Sequence, residues 1–207
     1  MRQLSEDDRT VPGLRERKKA KTRAAIQEHA VRLFREQGYD DTTVEQIAEA
    51  AEVSPSTVFR YYPAKEDLVI SDEYDPMLID AIRAQPPGLS PIQVLRNALR
   101  TTFTKVSSSE LTVQRERIML VLSVPALWGA SLGNLTGTLR ILTDLVAARE
   151  GRTPDDTAVR TFSGAAFGVM LEVMLRWAQE PDMDTPAELD RALAHLEAGL
   201  PFPREST

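Results

Sequence analysis

The stretch that decides the fold is Thr42-Thr43-Val44-Glu45-Gln46-Ile47-Ala48-Glu49-Ala50-Ala51-Glu52-Val53-Ser54-Pro55-Ser56-Thr57-Val58-Phe59-Arg60-Tyr61-Tyr62. It reads as two short helices with almost nothing between them. Thr42 stands three residues before Glu45, the spacing of a capping box, in which hydroxyl and carboxylate each accept from a free amide. Val44, Ile47, Ala48 and Ala51 then mark one helical face that runs out near Ala51. Only Glu52 and Val53 intervene before Ser54-Pro55, a serine N-cap with proline at the first helical position. This second helix stops near Tyr61, because Pro63 follows. Two helices joined this tightly form a helix-turn-helix, whose second helix is shaped to enter a DNA major groove.

Ile47, Ala48, Ala51, Val53, Val58 and Tyr62 are expected where the two helices pack, the small alanines permitting a close crossing. Left for solvent on the second helix are Ser54, Ser56, Thr57, Arg60 and Tyr61, groups suited to base edges and backbone oxygens. Lys65 follows at the start of the next helix, where its charge and the free first-turn amides face the same way.

Upstream, Ile26, Ala30, Leu33 and Phe34 place one face on a helix from about Arg15 to Gln37, ended by Gly38. Residues 1–14 are polar, contain Pro12-Gly13 and read as a loose arm. Between residues 15 and 35 stand eight Lys/Arg against two Asp/Glu, although the whole chain carries a net charge of −6. Residues 71–207 hold 13 Lys/Arg and 18 Asp/Glu. A basic segment on an acidic body is the asymmetry expected when one end meets phosphate.

Downstream, a fourth helix is expected from near Ala64 to Ala84, kinked at Pro76. The boundary Gln85-Pro86-Pro87-Gly88-Leu89-Ser90-Pro91 comes next, and Ser90-Pro91 with Gln93 opens another helix. Further helices are expected from about Ser109 to Ser123, along a Leu132, Leu135, Leu139, Leu142, Val146 stripe to Gly151, from Thr153-Pro154 to about Glu180 (the longest), and from Thr185-Pro186 to about Gly199. No alternating strand pattern interrupts them. The fold class is therefore all-α, with nine or ten helices. The 207 residues divide into an arm (1–14), a helix-turn-helix domain (15–65), a connecting helix (66–84) and a second domain (90–200).

Enzymatic chemistry finds little to work with. There is no cysteine, so no thiolate and no sulfur-ligated zinc, and His29 and His195 lie far apart in sequence. Asp72, Glu73 and Asp75 read as a solvated acidic turn rather than a metal site, and no cofactor motif occurs. The N-terminus lacks the apolar stretch of a signal peptide. The longest apolar run, Gly164 to Leu171, falls short of the ~20 residues that span a bilayer, so no membrane partner and a cytoplasmic location are expected.

The helix over 154–180 is apolar on two sides, and both must be buried. Gly164 and Gly168 permit close approach, and with Leu171, Leu175, Leu189, Leu193 and Leu196 they predict a homodimer built as a four-helix bundle. Phe103, Met119, Trp128, Phe162, Phe167, Met170, Met174 and Trp177 are the candidate lining of a small-molecule pocket, with Arg96, Arg117 or Arg176 to receive an anionic end.

Taken in order, Lys21-Thr22-Arg23, Leu33-Phe34, Gly38-Tyr39, Thr42-Thr43-Val44, Ile47-Ala48, Val53-Ser54, Val58-Phe59-Arg60-Tyr61-Tyr62 and Lys65-Glu66-Asp67-Leu68 make residues 20–80 resemble the DNA-binding domain of the tetracycline-repressor (TetR) family of bacterial transcriptional regulators. The resemblance implies that Thr43 and Lys65 contact backbone phosphates, and that Ser56, Thr57, Arg60 and Tyr61 face the groove. Arg23 and Ser54 complete the candidate DNA-binding set. Two positions depart from the family pattern. Glu52 occupies the turn position usually held by glycine, at a cost of roughly 1 kcal/mol for a left-handed backbone. Ala64 stands where a capping Ser or Asn is frequent. Arg115-Glu116-Arg117-Ile118-Met119-Leu120-Val121-Leu122-Ser123-Val124-Pro125 is similar to actinobacterial regulators of the mycofactocin-regulator type, which implies an acyl-CoA as effector class. The function expected is a dimeric repressor released from a near-palindromic operator by a small molecule. The competing expectation is an effector-independent DNA-organising or interaction protein.

Overall fold

A computed structural model of the chain describes residues 14–71 and 74–202. The expected arm before Leu14, and Asp72 and Glu73 of the acidic turn, lie outside these residues. Ten helices and no strand occur among the described residues. They fall into two compact units that meet in sequence between Val69 and Ile70.

The first unit contains α1 (Leu14–Gln37), α2 (Val44–Ala50) and α3 (Pro55–Tyr61). Gly38, at φ +92°, ends α1 as expected, its amide donating to the Phe34 carbonyl at 3.0 Å. The start of α2 lies one residue later than the sequence suggests. Thr43 is the N-cap, paired with Gln46: Gln46 N–H donates to Thr43 Oγ1 (3.2 Å) and Thr43 N–H to Gln46 Oε1 (2.7 Å). Thr42 is buried instead, and its hydroxyl donates to the Gly38 carbonyl at 2.8 Å, which satisfies an orphan group at the end of α1. α3 begins as predicted, with Thr57 N–H donating to Ser54 Oγ (3.2 Å) and Pro55 at the first position. The core closes on Ile26, Phe34, Ile47, Val58, Tyr62 and Leu68, each with almost no exposed surface.

The expected fourth helix is two pieces, α4 (Asp67–Ile70) and α5 (Tyr74–Arg83). Pro76 does not kink a long helix. It sits in the first turn of α5, where its missing N–H has no intrahelical bond to lose.

In the second unit follow α6 (Pro91–Phe103), α7 (Ser108–Ser123), α8 (Pro125–Glu150), α9 (Thr157–Gln179) and α10 (Thr185–Glu197). α8, of 26 residues, is longer than α9, of 23, because α9 starts after the Thr153-Pro154 turn with Asp156 as its N-cap. Asp156 accepts from Ala158 N–H and Val159 N–H (2.8 and 3.3 Å), and Asp184 rather than Thr185 caps α10. Gly151, at φ +64°, closes α8.

α9 is the central helix, packed against α7, α8 and α10. Its mean hydropathy of 1.4 over 18 residues makes it long and apolar enough by composition to cross a bilayer, a property that counting unbroken apolar runs did not detect. Only 22% of that window is buried within the chain. At the entry to this unit, Asn134 of α8 donates to the Ile70 carbonyl (2.8 Å) and Arg117 of α7 donates to the Ser71 carbonyl.

Candidate nucleic-acid interface

The turn before α3 contains Glu52 at φ +54°, the left-handed position the sequence demanded of a residue with a Cβ. The strain is met by backbone bonding: Glu52 N–H donates to Glu49 O (3.1 Å) and Val53 N–H to Ala48 O (2.9 Å). At the other departure, Asp67 substitutes for the missing cap, its carboxylate accepting from Ala64 N–H at 2.9 Å.

With Val58 and Tyr62 at 0% and 1% exposure anchoring α3, the helix turns Ser54, Ser56 and Arg60 fully outward and Thr57 and Tyr61 to its flank. Ser54 Oγ lies 2.9 Å from both Ser56 Oγ and Thr57 Oγ1, so the three hydroxyls form one chain at the helix start. Arg60 Nη2 donates to Thr57 Oγ1 at 3.4 Å, and its guanidinium carbon sits 5.4 Å from the Tyr61 ring centroid. Five of the expected residues therefore share one outward face. Thr43, exposed at the start of α2, keeps its carbonyl and side chain at the helix N-terminus.

Arg23 and Lys65 are placed differently. The Arg23 guanidinium lies over the Tyr62 ring (5.4 Å), and the Tyr62 hydroxyl donates to the Arg23 carbonyl (3.2 Å). The Lys65 ammonium lies 4.4 Å from the Tyr39 centroid and 5.6 Å from that of Phe34, and donates to the Tyr39 carbonyl. Both cations thus brace the aromatic core of the unit in this structure. Burial and the nearby Glu66 carboxylate push the Tyr39 phenol above its ordinary range, so a neutral ring lies beneath Lys65. Arg15, Lys18, Lys19 and Lys21 stand exposed on the first half of α1, and Arg32 and Arg35 on its second half.

One residue of α3 escaped the sequence reading. Phe59 is 47% exposed, although every other aromatic side chain of α1 to α3 except Tyr61 is buried. The signal was available: with Val58 and Tyr62 inward, a helix of this length turns position 59 to the edge.

The residues expected to line a pocket differ widely in exposure. Met119 and Trp128 are 42% and 41% exposed, Trp177 is buried, and Phe103, Phe167, Met170 and Met174 are half-buried. Phe162 alone of the eight lines an apolar pocket, together with Val94, Leu95, Leu142, Val146 and, as its one charged wall residue, Arg149. Its enclosed space is about 10 Å³, room for roughly one water molecule. Nor are the proposed anion receivers open. Arg96 is held by Asp190 (2.9 Å) and Glu197 (2.8 Å), and Arg176 by Glu172 and Glu188 (3.3 Å each). Arg117 is buried and donates to Gln114 Oε1 at 2.7 Å.

Of the residues expected at a subunit interface, Leu189 and Leu193 are buried in this chain's own core, at 3% and 0% exposure, and present nothing to a second copy. Leu196 packs half-buried against the same core. Gly164 and Gly168 are exposed with open space around the position of an added Cβ, and Leu171 and Leu175 are half-buried. Among the described residues no group of three His, Cys, Asp or Glu could hold a metal ion.

Comparison with known proteins divides the chain at nearly the same place. Residues 26–71 match the family model of bacterial regulatory proteins of the tetR family, and residues 89–201 match that of the MftR C-terminal domain. The HTH-type transcriptional regulator TcmR of Streptomyces glaucescens is 35% identical over 184 residues, covering 85% of this chain and 81% of TcmR. The candidate mycofactocin biosynthesis transcriptional regulator MftR of Mycobacterium tuberculosis is 30% identical over 192 residues, covering 89% and 93%. Among solved structures, Thermus thermophilus FadR, a repressor crystallised with lauroyl-CoA, aligns with a TM-score of 0.53 at 28% identity, covering 89% of this chain and 97% of that one. Two domain matches in the order the helices dictate, extended across most of two curated regulators, place the chain in the tetR family of bacterial transcriptional regulators, as a DNA-binding regulator and not an enzyme.

Proposed function

We propose that this chain is a dimeric repressor whose α3 helices read the two halves of a near-palindromic operator in the cytoplasm, and which a small molecule releases. The observation that carries the reading is the outward face of α3, where Ser54, Ser56, Thr57, Arg60 and Tyr61 stand on a helix locked by two buried anchors. Hydroxyls and a guanidinium match base edges and phosphates, and exposed basic residues on α1 add the sequence-independent attraction. The dimer is supported by α9, whose Thr161, Gly164, Ala165 and Gly168 form an exposed strip of small side chains on a helix of apolar composition. A second copy of α9 would cover it, and a two-fold dimer suits an operator whose half-sites lie about one DNA turn apart, or a multiple of that.

The effector is proposed to be apolar or amphipathic. The apolar pocket between α6, α8 and α9 is far below the ~300 Å³ of ordinary ligand sites, so binding would require these helices to part. A long-chain acyl-CoA is the first candidate, since the Thermus FadR was solved with one. Release then follows if the ligand favours a dimer whose recognition helices miss the half-site spacing.

Footprinting of the protein on DNA upstream of its own gene, at several salt concentrations, tests this directly. Protection of a two-fold-related site that weakens steeply with salt is expected, and Arg60→Ala should weaken it at unchanged helicity. Protection that Arg60→Ala leaves untouched would overturn the assignment of α3. Loss of protection on adding lauroyl-CoA, with a change in Trp128 or Trp177 fluorescence, is expected for an effector-controlled repressor. Protection indifferent to acyl-CoA and to neutral apolar compounds would favour the effector-independent DNA-organising reading.

A further inference from the structure

The outward surface of α3 is three rows of residues four apart. Ser56 and Arg60 form the middle row, opposite the buried Val58 and Tyr62; Thr57 and Tyr61 form one flank, and Pro55 and Phe59 the other. Arg60 is drawn toward the Thr57 and Tyr61 side by its contact with the Thr57 hydroxyl and the Tyr61 ring. The Pro55 and Phe59 row is thereby left bare of hydrogen-bonding groups on the very helix offered to DNA. In the same unit Phe34, Tyr39 and Tyr62 are 8% exposed or less, so the core had room for rings and Phe59 stays out of it at 47%.

A benzyl side chain has no donor or acceptor to offer a phosphate or a base edge. In a major groove its one apolar counterpart is the C5-methyl group of thymine. Burial of a methyl group at this scale is worth about a fourfold change in an equilibrium constant. From this placement we propose that Phe59 is a specificity-determining residue that reads a thymine methyl in each operator half-site, beside the base contacted by Arg60. The inference rests on α3 being the recognition helix, as argued above.

The test uses the full chain and a duplex it selects from a randomised pool. Each thymine of that duplex is replaced in turn by deoxyuridine, which removes the methyl and leaves base pairing intact. Replacement at one position per half-site is expected to weaken wild-type binding about fourfold, while Phe59→Ala binds both duplexes alike. Phe59→Leu, which keeps an apolar side chain, should retain a penalty of the same sign, and circular dichroism confirms that each variant is folded. If no thymine matters to the wild type, or if Phe59→Ala keeps the wild-type penalty at every position, the methyl contact is wrong while α3 can still be the reader. If the chain selects no duplex at all, the assignment of α3 fails and takes this inference with it.

Discussion

The unit up to Val69 and the unit from Ile70 onward solve the burial problem in opposite ways. In the first, short helices surround a small set of large side chains, and what stays exposed on α3 is mostly polar. In the second, α9 buries or half-buries its large apolar side chains and leaves a strip of Thr161, Gly164, Ala165 and Gly168 open, while Met119, Leu122, Trp128 and Leu132 stand exposed on α7 and α8. A polar exposed face invites a polar, charged partner such as DNA. An apolar exposed face made of glycine and alanine invites another protein surface, because small residues let backbones approach. On the reading proposed above, the first is the surface offered to DNA and the second the surface offered to another copy of the chain.

The largest effect that would break this contrast is expected at α9. Gly168 is exposed with nothing near an added Cβ, so Gly168→Leu should leave the monomer folded while blocking close approach of a second copy. Sedimentation should show monomers, and operator affinity should fall on the order of a hundredfold through loss of two-site binding. A wild-type protein that is monomeric at micromolar concentration would end the assembly reading.

Lys65 sharpens the other side. If its ammonium braces Tyr39 and Phe34, Lys65→Gln should destabilise the chain by about 2 kcal/mol in denaturant melts, since a partly desolvated cation over two rings is lost with its hydrogen bond. Unchanged stability with a salt slope smaller by about one would instead make it a phosphate ligand.

Glu52→Gly is expected to raise stability by about 1 kcal/mol, visible as a higher melting temperature, because glycine adopts φ +54° without a Cβ clash. A lower melting temperature would mean that the Glu52 side chain does more than tolerate its turn.

The smallest effect is expected in the second unit's ion cluster. The Arg96 guanidinium holds the Asp190 carboxyl below its ordinary range, and Arg100 adds to this. Such a group contributes stability that is present above the unfolded carboxylate pKa and lost as pH falls through the folded one. Asp190→Asn should therefore cost about 0.5–1 kcal/mol near neutral pH, and the difference from wild type should vanish in acid. A cost that persists at low pH would make the contact one of packing.

The helices of the first unit were legible because their signals are local. Ser54-Pro55, Gly38 and the spacing of Val58 and Tyr62 act within a few residues, where capping and steric rules apply without knowledge of the rest. Where two local signals competed, sequence alone chose wrongly: Thr42 and Thr43 both fit an N-cap, and the carbonyl of Gly38, brought near by the end of α1, claims the first. The same limit governs Lys65, whose exposed-looking charge is captured by Tyr39 and Phe34, residues some thirty positions away.

In the second unit the sequence by itself marked the five helices α6 to α10, most of their start signals and an apolar content to be covered. Which part of that content is core and which is left for a partner was decided only by how α6 to α10 pack. Leu193 and Leu175 look alike on a helical wheel, yet one is fully buried in its own subunit and the other is not. Hydrophobic periodicity records that a face must be covered, and it holds no information on what covers it, because the burial free energy of an apolar side chain is nearly indifferent to its neighbour's identity. That choice belongs to the tertiary structure.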